Sequence, residues 1–203
     1  MAIFKYGQME LDHLRKNDKL LGDAIERIGL IEREITPDPF AFLVSAVINQ
    51  QISGKAAQTV TGRLYAKVGD MSPEGISNIE IEDIQSCGMS FRKARIIKGV
   101  ADAVKNNIIA MDKLSELSND EVVRQLSSLN GIGVWTAEMV LIFALERPDV
   151  VSWGDLGIRR GMMNLYGLDS LSKKEFEEYR SRYSPYGTIA SFYLWVIPSK
   201  QQV

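Results

Sequence analysis

The stretch LNGIGVWTAE, residues 129–138, decides how this chain is read. A helical pattern over 119–128 runs into Asn130, Gly131, Ile132 and Gly133, and a second apolar helical pattern begins around Val134. Asn130, Gly131 and Gly133 can each take positive φ cheaply, so the stretch predicts a tight turn between two helices, a hairpin spanning about 119–145. Missing side chains at Gly131 and Gly133 let another backbone come close. The amides of Gly131, Gly133 and Val134 then lie at or near a helix N-terminus. Donors in a positive dipole end suit one phosphate. Such a contact needs no lysine and reads no base sequence. A plain helix–helix connection is the alternative reading, and the surrounding chain has to decide.

Outward from the hairpin the pattern is helical nearly throughout. Leu11, Leu14, Leu21, Ile25 and Ile28 predict one helix over 10–28, closed by Gly29. Pro39 suits the first turn of a nearly all-apolar helix over 39–49, which belongs in the core and runs into the polar NQQIS. A further helix starts at Ser53 and ends near Gly69. Ser72 with Pro73, and Ser90 before the basic run FRKARIIK, read as helix starts. SNDE (118–121) and SKKE (172–175) read as capping boxes. No alternating run is long enough for a strand, and no repeat or low-complexity linker is present. The expectation is an all-α chain of about ten helices, one domain over 1–203 built as two lobes with a cleft between them.

Composition bounds the function. Of 203 residues 45% are hydrophobic, enough for a substantial core. No apolar run reaches membrane-spanning length, so no membrane partner is expected. The opening MAIFKYGQMELDHLRKNDK has a short apolar patch broken by charges and is not a signal peptide. An intracellular location is expected: the nucleoid-bearing cytoplasm of a prokaryote or the nucleus of a eukaryote. With one cysteine, Cys87, a disulfide framework or an iron–sulfur cluster within the chain is excluded. The single histidine, His13, reads as a solvated helix residue. Net charge is −2, which argues against nucleic-acid binding by bulk charge, although Arg92, Lys93, Arg95 and Lys98, and separately Arg159 and Arg160, could form local basic faces. Asp155, before LGIRRGMMNLYG, reads as a helix N-cap.

LNGIGVWTAEMVLIFAL resembles the hairpin of the helix-hairpin-helix DNA glycosylases, most of all the 3-methyladenine DNA glycosylase II type. DPFAFLVSAVINQQISGKAA (38–57), GMSFRKARIIKGVADAV (88–104), VVSWGDLGIRRGM (150–162) and YSPYGTIASFYLW (183–195) are similar to further segments of that family. The resemblance covers roughly residues 10–197. It implies a two-lobed helical fold and Asp155 as the catalytic acid. It implies a base pocket of Trp135, Trp195, Met139 and Phe40, and DNA contacts from Gln51, Ser53, Gly131, Gly133, Val134 and Thr136, with Gln51 as the wedge that fills the gap left by a flipped base. It implies no required cofactor, at most a Na+ or K+ on the backbone carbonyls of Ser127, Leu129 and Ile132.

The implied partner is double-stranded DNA with a damaged base, met by a monomer. The implied reaction is hydrolysis of an N-glycosidic bond, with negative charge needed near the cationic sugar. Trp135 stands where bifunctional relatives have a lysine, so no Schiff base can form and a monofunctional enzyme is expected. Its electron-rich face suits a cationic alkylpurine such as 3-methyladenine or 7-methylguanine. The chain departs from the family at Gly154 and at Gly187, where an arginine and its ion pair are expected to be missing. The β-rich N-terminal lobe of some members has no room before the first helix. Three rival readings stand beside this one: a glycosylase for deaminated or oxidised bases; a non-catalytic helix-hairpin-helix DNA-binding module, which would need the hairpin but neither Asp155 nor the aromatic pocket; and a helical protein–protein scaffold, which would need neither hairpin glycines nor basic helix.

Overall fold

The computed structural model describes residues 2–197. In chain order the elements are β1 (Ala2–Ile3), α1 (Gln8–Asn17), α2 (Lys19–Ile28), β2 (Glu34–Ile35), α3 (Pro39–Asn49), α4 (Gly54–Val68), α5 (Pro73–Ser77), α6 (Ile81–Ser86) and α7 (Phe91–Lys105). A 3-10 turn at Met111–Glu116 leads to α8 (Asn119–Ser127), α9 (Val134–Phe143), α10 (Leu156–Tyr166), α11 (Lys173–Tyr183) and α12 (Gly187–Leu194). The chain divides into two compact units, one made of residues 1–35 with 146–203 and the other of residues 36–145. No helix of the described residues is long and apolar enough to cross a membrane.

Local signals set most boundaries. Asp38 accepts from the amides of Phe40 and Ala41 ahead of Pro39, the first residue of α3. Ser53, Ser72 and Ser90 cap α4, α5 and α7. Both capping boxes form: Ser118 with Glu121, and Ser172 with Glu175. Gly69 and Gly167, both at positive φ, end α4 and α10.

Three expectations change. The helix foreseen over 10–28 is two helices, because Asp18 leaves the helical region (φ −144°, ψ 108°) and its side chain accepts from Leu21 N at 2.9 Å. Apolar spacing hides this break, since Leu11, Leu14, Leu21 and Ile25 are all buried. A two-stranded antiparallel ladder joins β1 to β2 and pairs Ala2 with Ile35, too short to leave a period in the sequence. The short helix α6 begins without a side-chain cap, so no capping signal announced it.

In the unit of residues 36–145, α3 packs against α4, α7 and α9, and α8 against α9. Leu43, Val47, Ile48, Ile97, Leu126 and Val140 form its core. In the other unit α10 and α12 lie against each other and against α2, around Leu21, Ile158, Met162, Phe192 and Tyr193. His13 is half-exposed on α1 and has partners as well as solvent: its Nε2 donates to the Ser184 carbonyl at 2.8 Å and its ring meets Tyr186 edge-on.

Candidate active site and DNA interface

Asp155 is the N-cap of α10, as its position before LGIRRGMMNLYG predicts, and is only 8% exposed. Its Oδ1 accepts from Ile158 N at 2.9 Å and from the indole Nε1 of Trp195 at 3.0 Å. The carboxylate therefore sits at the positive end of a helix with two N–H donors on one oxygen, an arrangement that holds a negative charge in a fixed orientation. Trp195 is half-buried. Its partnership with Asp155 joins residues 40 positions apart, and local sequence reading missed it. A sequence signal did exist for the closeness of α10 and α12. Gly157 and Gly161 are one turn apart, and a Cβ at 161 would stand 1.9 Å from the Leu194 carbonyl oxygen.

Around this group, Arg159 lies over the Trp153 ring at 4.8 Å, so the IRR run is not simply a solvated basic face. Arg160 is exposed. At Gly187 the expected arginine is absent, and the backbone amide takes its place: Gly187 N donates to Asp149 Oδ1 at 3.0 Å, while Ser184 Oγ donates to Asp149 Oδ2 at 2.7 Å. A Cβ at 187 would meet Asp149 Oδ1 at 2.5 Å, so this use of Asp149 requires glycine.

In the unit of residues 36–145, the hairpin closes as expected but with a different division of labour. Gly131 takes positive φ (84°). Gly133 does not: it is the N-cap of α9 at φ −91°. Asn130 is not among the positive-φ residues either. Gly131 faces the Ile96 side chain of α7, which a Cβ would meet at 2.4 Å, so the close approach is to a side chain and not to a backbone. Space beside Gly133 is open, with nothing within 4 Å of a Cβ. The first backbone bond of α9 runs from Ala137 N to Gly133 O, so the amides of Val134, Trp135 and Thr136 precede the helical ladder. Val134 is exposed, and Trp135 is 44% exposed.

Thr136 is only 4% exposed, so among the foreseen DNA contacts its part is confined to the backbone amide ahead of the α9 ladder. Met139 and Phe40 are also buried, at 5% and 3%, among packed side chains. Helix α9 has only Thr136 and Glu138 as polar residues, so sequence period could not tell which apolar residue faces out. Leu129 O, one of the three carbonyls foreseen for a monovalent cation with those of Ser127 and Ile132, accepts from Ile132 N at 3.1 Å.

Gln51 is exposed and holds the left-handed conformation (φ 58°), unusual for a residue with a side chain. Ser53 beside it accepts from Ala56 N as the cap of α4. The loop is supported from below by Lys93, whose Nζ donates to the carbonyls of Ile48 and Gln50. Burial lowers the Lys93 ammonium below its ordinary value. Lys98 likewise donates to the carbonyls of Ser77 and Ile79. The basic face foreseen on α7 is therefore corrected. Lys93 and Lys98 bind carbonyls at the C-terminal ends of α3 and α5, while Arg92 and Arg95 stay exposed, with Arg95 5.9 Å from the Phe91 ring.

Two helices, α8 and α9, joined by a tight glycine turn in a mostly helical chain make a helix-hairpin-helix protein. The sequence matches the family described as HhH-GPD superfamily base excision DNA repair protein over residues 44–185, and the chain belongs to it. It is 36% identical over 163 residues to DNA-3-methyladenine glycosylase 1 of Schizosaccharomyces pombe, covering 78% of this chain and 72% of that protein. Among solved structures it resembles a DNA-3-methyladenine glycosidase from Bacillus halodurans (TM-score 0.85, 34% identity, 96% of this chain and 91% of that one). It also resembles the S. pombe 3-methyladenine DNA glycosylase in complex with abasic DNA (TM-score 0.80, 31% identity, 93% and 95%).

Proposed function

We propose that the protein is a monofunctional DNA glycosylase of base excision repair that hydrolyses the N-glycosidic bond of alkylated purines in duplex DNA. The observation that carries this reading is Asp155, held at the N-terminus of α10 with both Ile158 N and Trp195 Nε1 on Oδ1. A purine alkylated at a ring nitrogen is cationic and departs with the bonding electron pair as a neutral base, so no general acid is needed. The sugar left behind is an oxocarbenium ion, and a fixed carboxylate stabilises it electrostatically. Water then adds to the sugar carbon, and its proton passes to Asp155 or to solvent.

The exposed indole of Trp135 offers a cation–π partner for the charged base. It has no amine, so no Schiff base forms and the strand is not cut. The amides of Val134 and Trp135, with that of Gly133, grip a phosphate. Gln51, already in a strained loop conformation, takes the gap left by the extruded nucleotide, whose unstacking costs a few kcal/mol. A Na+ or K+ on the carbonyls of Ser127, Leu129 and Ile132 would add positive charge beside that phosphate. Leu129 O keeps a second lone pair for it.

The test is release of 3-methyladenine and 7-methylguanine from methylated duplex DNA. Wild-type protein releases base, and Asp155→Asn slows release by about 100-fold or more. Borohydride traps no covalent protein–DNA adduct. Binding to methylated, deaminated and oxidised DNA without release of any base would leave the DNA-binding module as the answer. Release that survives in Asp155→Asn would mean that another group stabilises the sugar.

A further inference from the structure

The family resemblance makes Trp195 a ring for stacking, but its surroundings give it another task. We propose that Trp195 is a positioning residue that acts through its indole N–H to fix the Asp155 carboxylate. This rests on the reading of Asp155 as the acid that steadies the sugar cation.

Three observations converge. The terminal torsion of an aspartate is soft, so each donor that grips the carboxylate narrows the swing of its plane. The indole N–H can only donate, and it reaches the same Oδ1 from the far end of α12, so two elements hold one oxygen. Second, the approach is built into α10. A Cβ at residue 157 would stand 2.8 Å from Trp195 Cδ1 and 3.0 Å from Asp155 Oδ1, so any side chain there would push the indole and carboxylate apart. One turn on, Gly161 admits the Leu194 carbonyl, which seats the last turn of α12 against α10. Third, the indole is held from within its own unit. Phe192 stacks with it at 6.1 Å and 25°, and the Arg33 guanidinium lies 6.0 Å from its centre. An indole with a guanidinium already against it is a poor seat for a cationic base.

A stacking role depends on the ring, whereas a positioning role depends on the N–H. Trp195→Phe keeps a ring and removes the donor. Gly157→Ala keeps the tryptophan and displaces it. Single-turnover base release from methylated duplex DNA is expected to fall about tenfold or more in each, the worth of a hydrogen bond to a charged group. Binding to a duplex containing an abasic-site analogue is expected to stay at the wild-type value, and both variants are expected to remain folded at the assay temperature although their melting temperatures fall by a few degrees. In an Asp155→Asn background Trp195→Phe is expected to cost nothing further. Wild-type rates in Trp195→Phe, or a loss that adds fully to that of Asp155→Asn, overturns the proposal while leaving Asp155 as the acid.

A readout independent of activity is the 1H–15N resonance of the Trp195 indole. It is expected to exchange slowly with solvent and to move in Asp155→Ala. A resonance unmoved by Asp155→Ala overturns the positioning role whatever the enzyme does, and full activity in Asp155→Asn overturns the catalytic reading alone.

Discussion

At the scale of single residues, two glycines of the same turn answer to different demands. Gly131 combines φ 84° with an Ile96 side chain lying where a Cβ would go. Gly131→Ala is expected to destabilise the fold by about 1–3 kcal/mol through strain and overpacking, measured by denaturant unfolding. Gly133 has ordinary φ and open space, so Gly133→Ala is expected to leave the unfolding midpoint close to wild type. It places a methyl beside the amides ahead of α9, and weaker duplex binding by fluorescence anisotropy is the expected result. Equal effects of the two substitutions on stability would contradict this division. The sequence marked both positions as a turn, because glycine after a helix is a local signal. It could not say which one needs the left-handed backbone, since that depends on where Ile96 of α7 comes to rest. The bond from Trp195 to Asp155 was hidden for the same reason: no local pattern encodes which partner 40 residues away an indole will find.

At the scale of elements, caps were the most legible features, because an N-cap is settled within four residues. Ser118 and Ser172 hold Glu121 and Glu175, and those hydrogen bonds pull both carboxyls below their ordinary value of 4.5. A depressed folded-state value means that the contribution to stability is whole above pH 4.5 and fades as pH falls through the folded value. The double variant Glu121→Gln/Glu175→Gln is therefore expected to show a shallower loss of stability below pH 4.5 than wild type, read from urea midpoints across the acid range. Identical acid limbs would count against the two boxes. Less legible was the work of α7. Its lysines look like a basic stripe in sequence, yet Lys93 and Lys98 point at carbonyls of neighbouring segments. Charge content does not reveal whether a long side chain reaches solvent or folds back.

At the scale of the whole molecule, a net charge of −2, with Lys93 and Lys98 of the basic helix committed to internal contacts, argues against binding phosphates by bulk positive charge. Binding through backbone amides displaces few counterions. A plot of log affinity for duplex DNA against log salt is expected to have a slope of about −1 to −3, much shallower than for proteins that bind through many lysines and arginines. A slope near −8 would show that a broad basic surface had been missed. The all-helical class was readable from periodicity alone. Which residues belong to which unit was not, because no composition shift marks the joins: the first 35 residues belong with those from 146 onward, and residues 36–145 form a unit between them.

That threading bears on synthesis. Thr36 N donates to Phe143 O at 2.9 Å, so the middle unit starts and finishes at one place, and all of its residues are made before residue 146. The opening segment must wait on the ribosome for its companions from the far end of the message. A translation product halted after the middle unit would own the hairpin and lack Asp155 altogether.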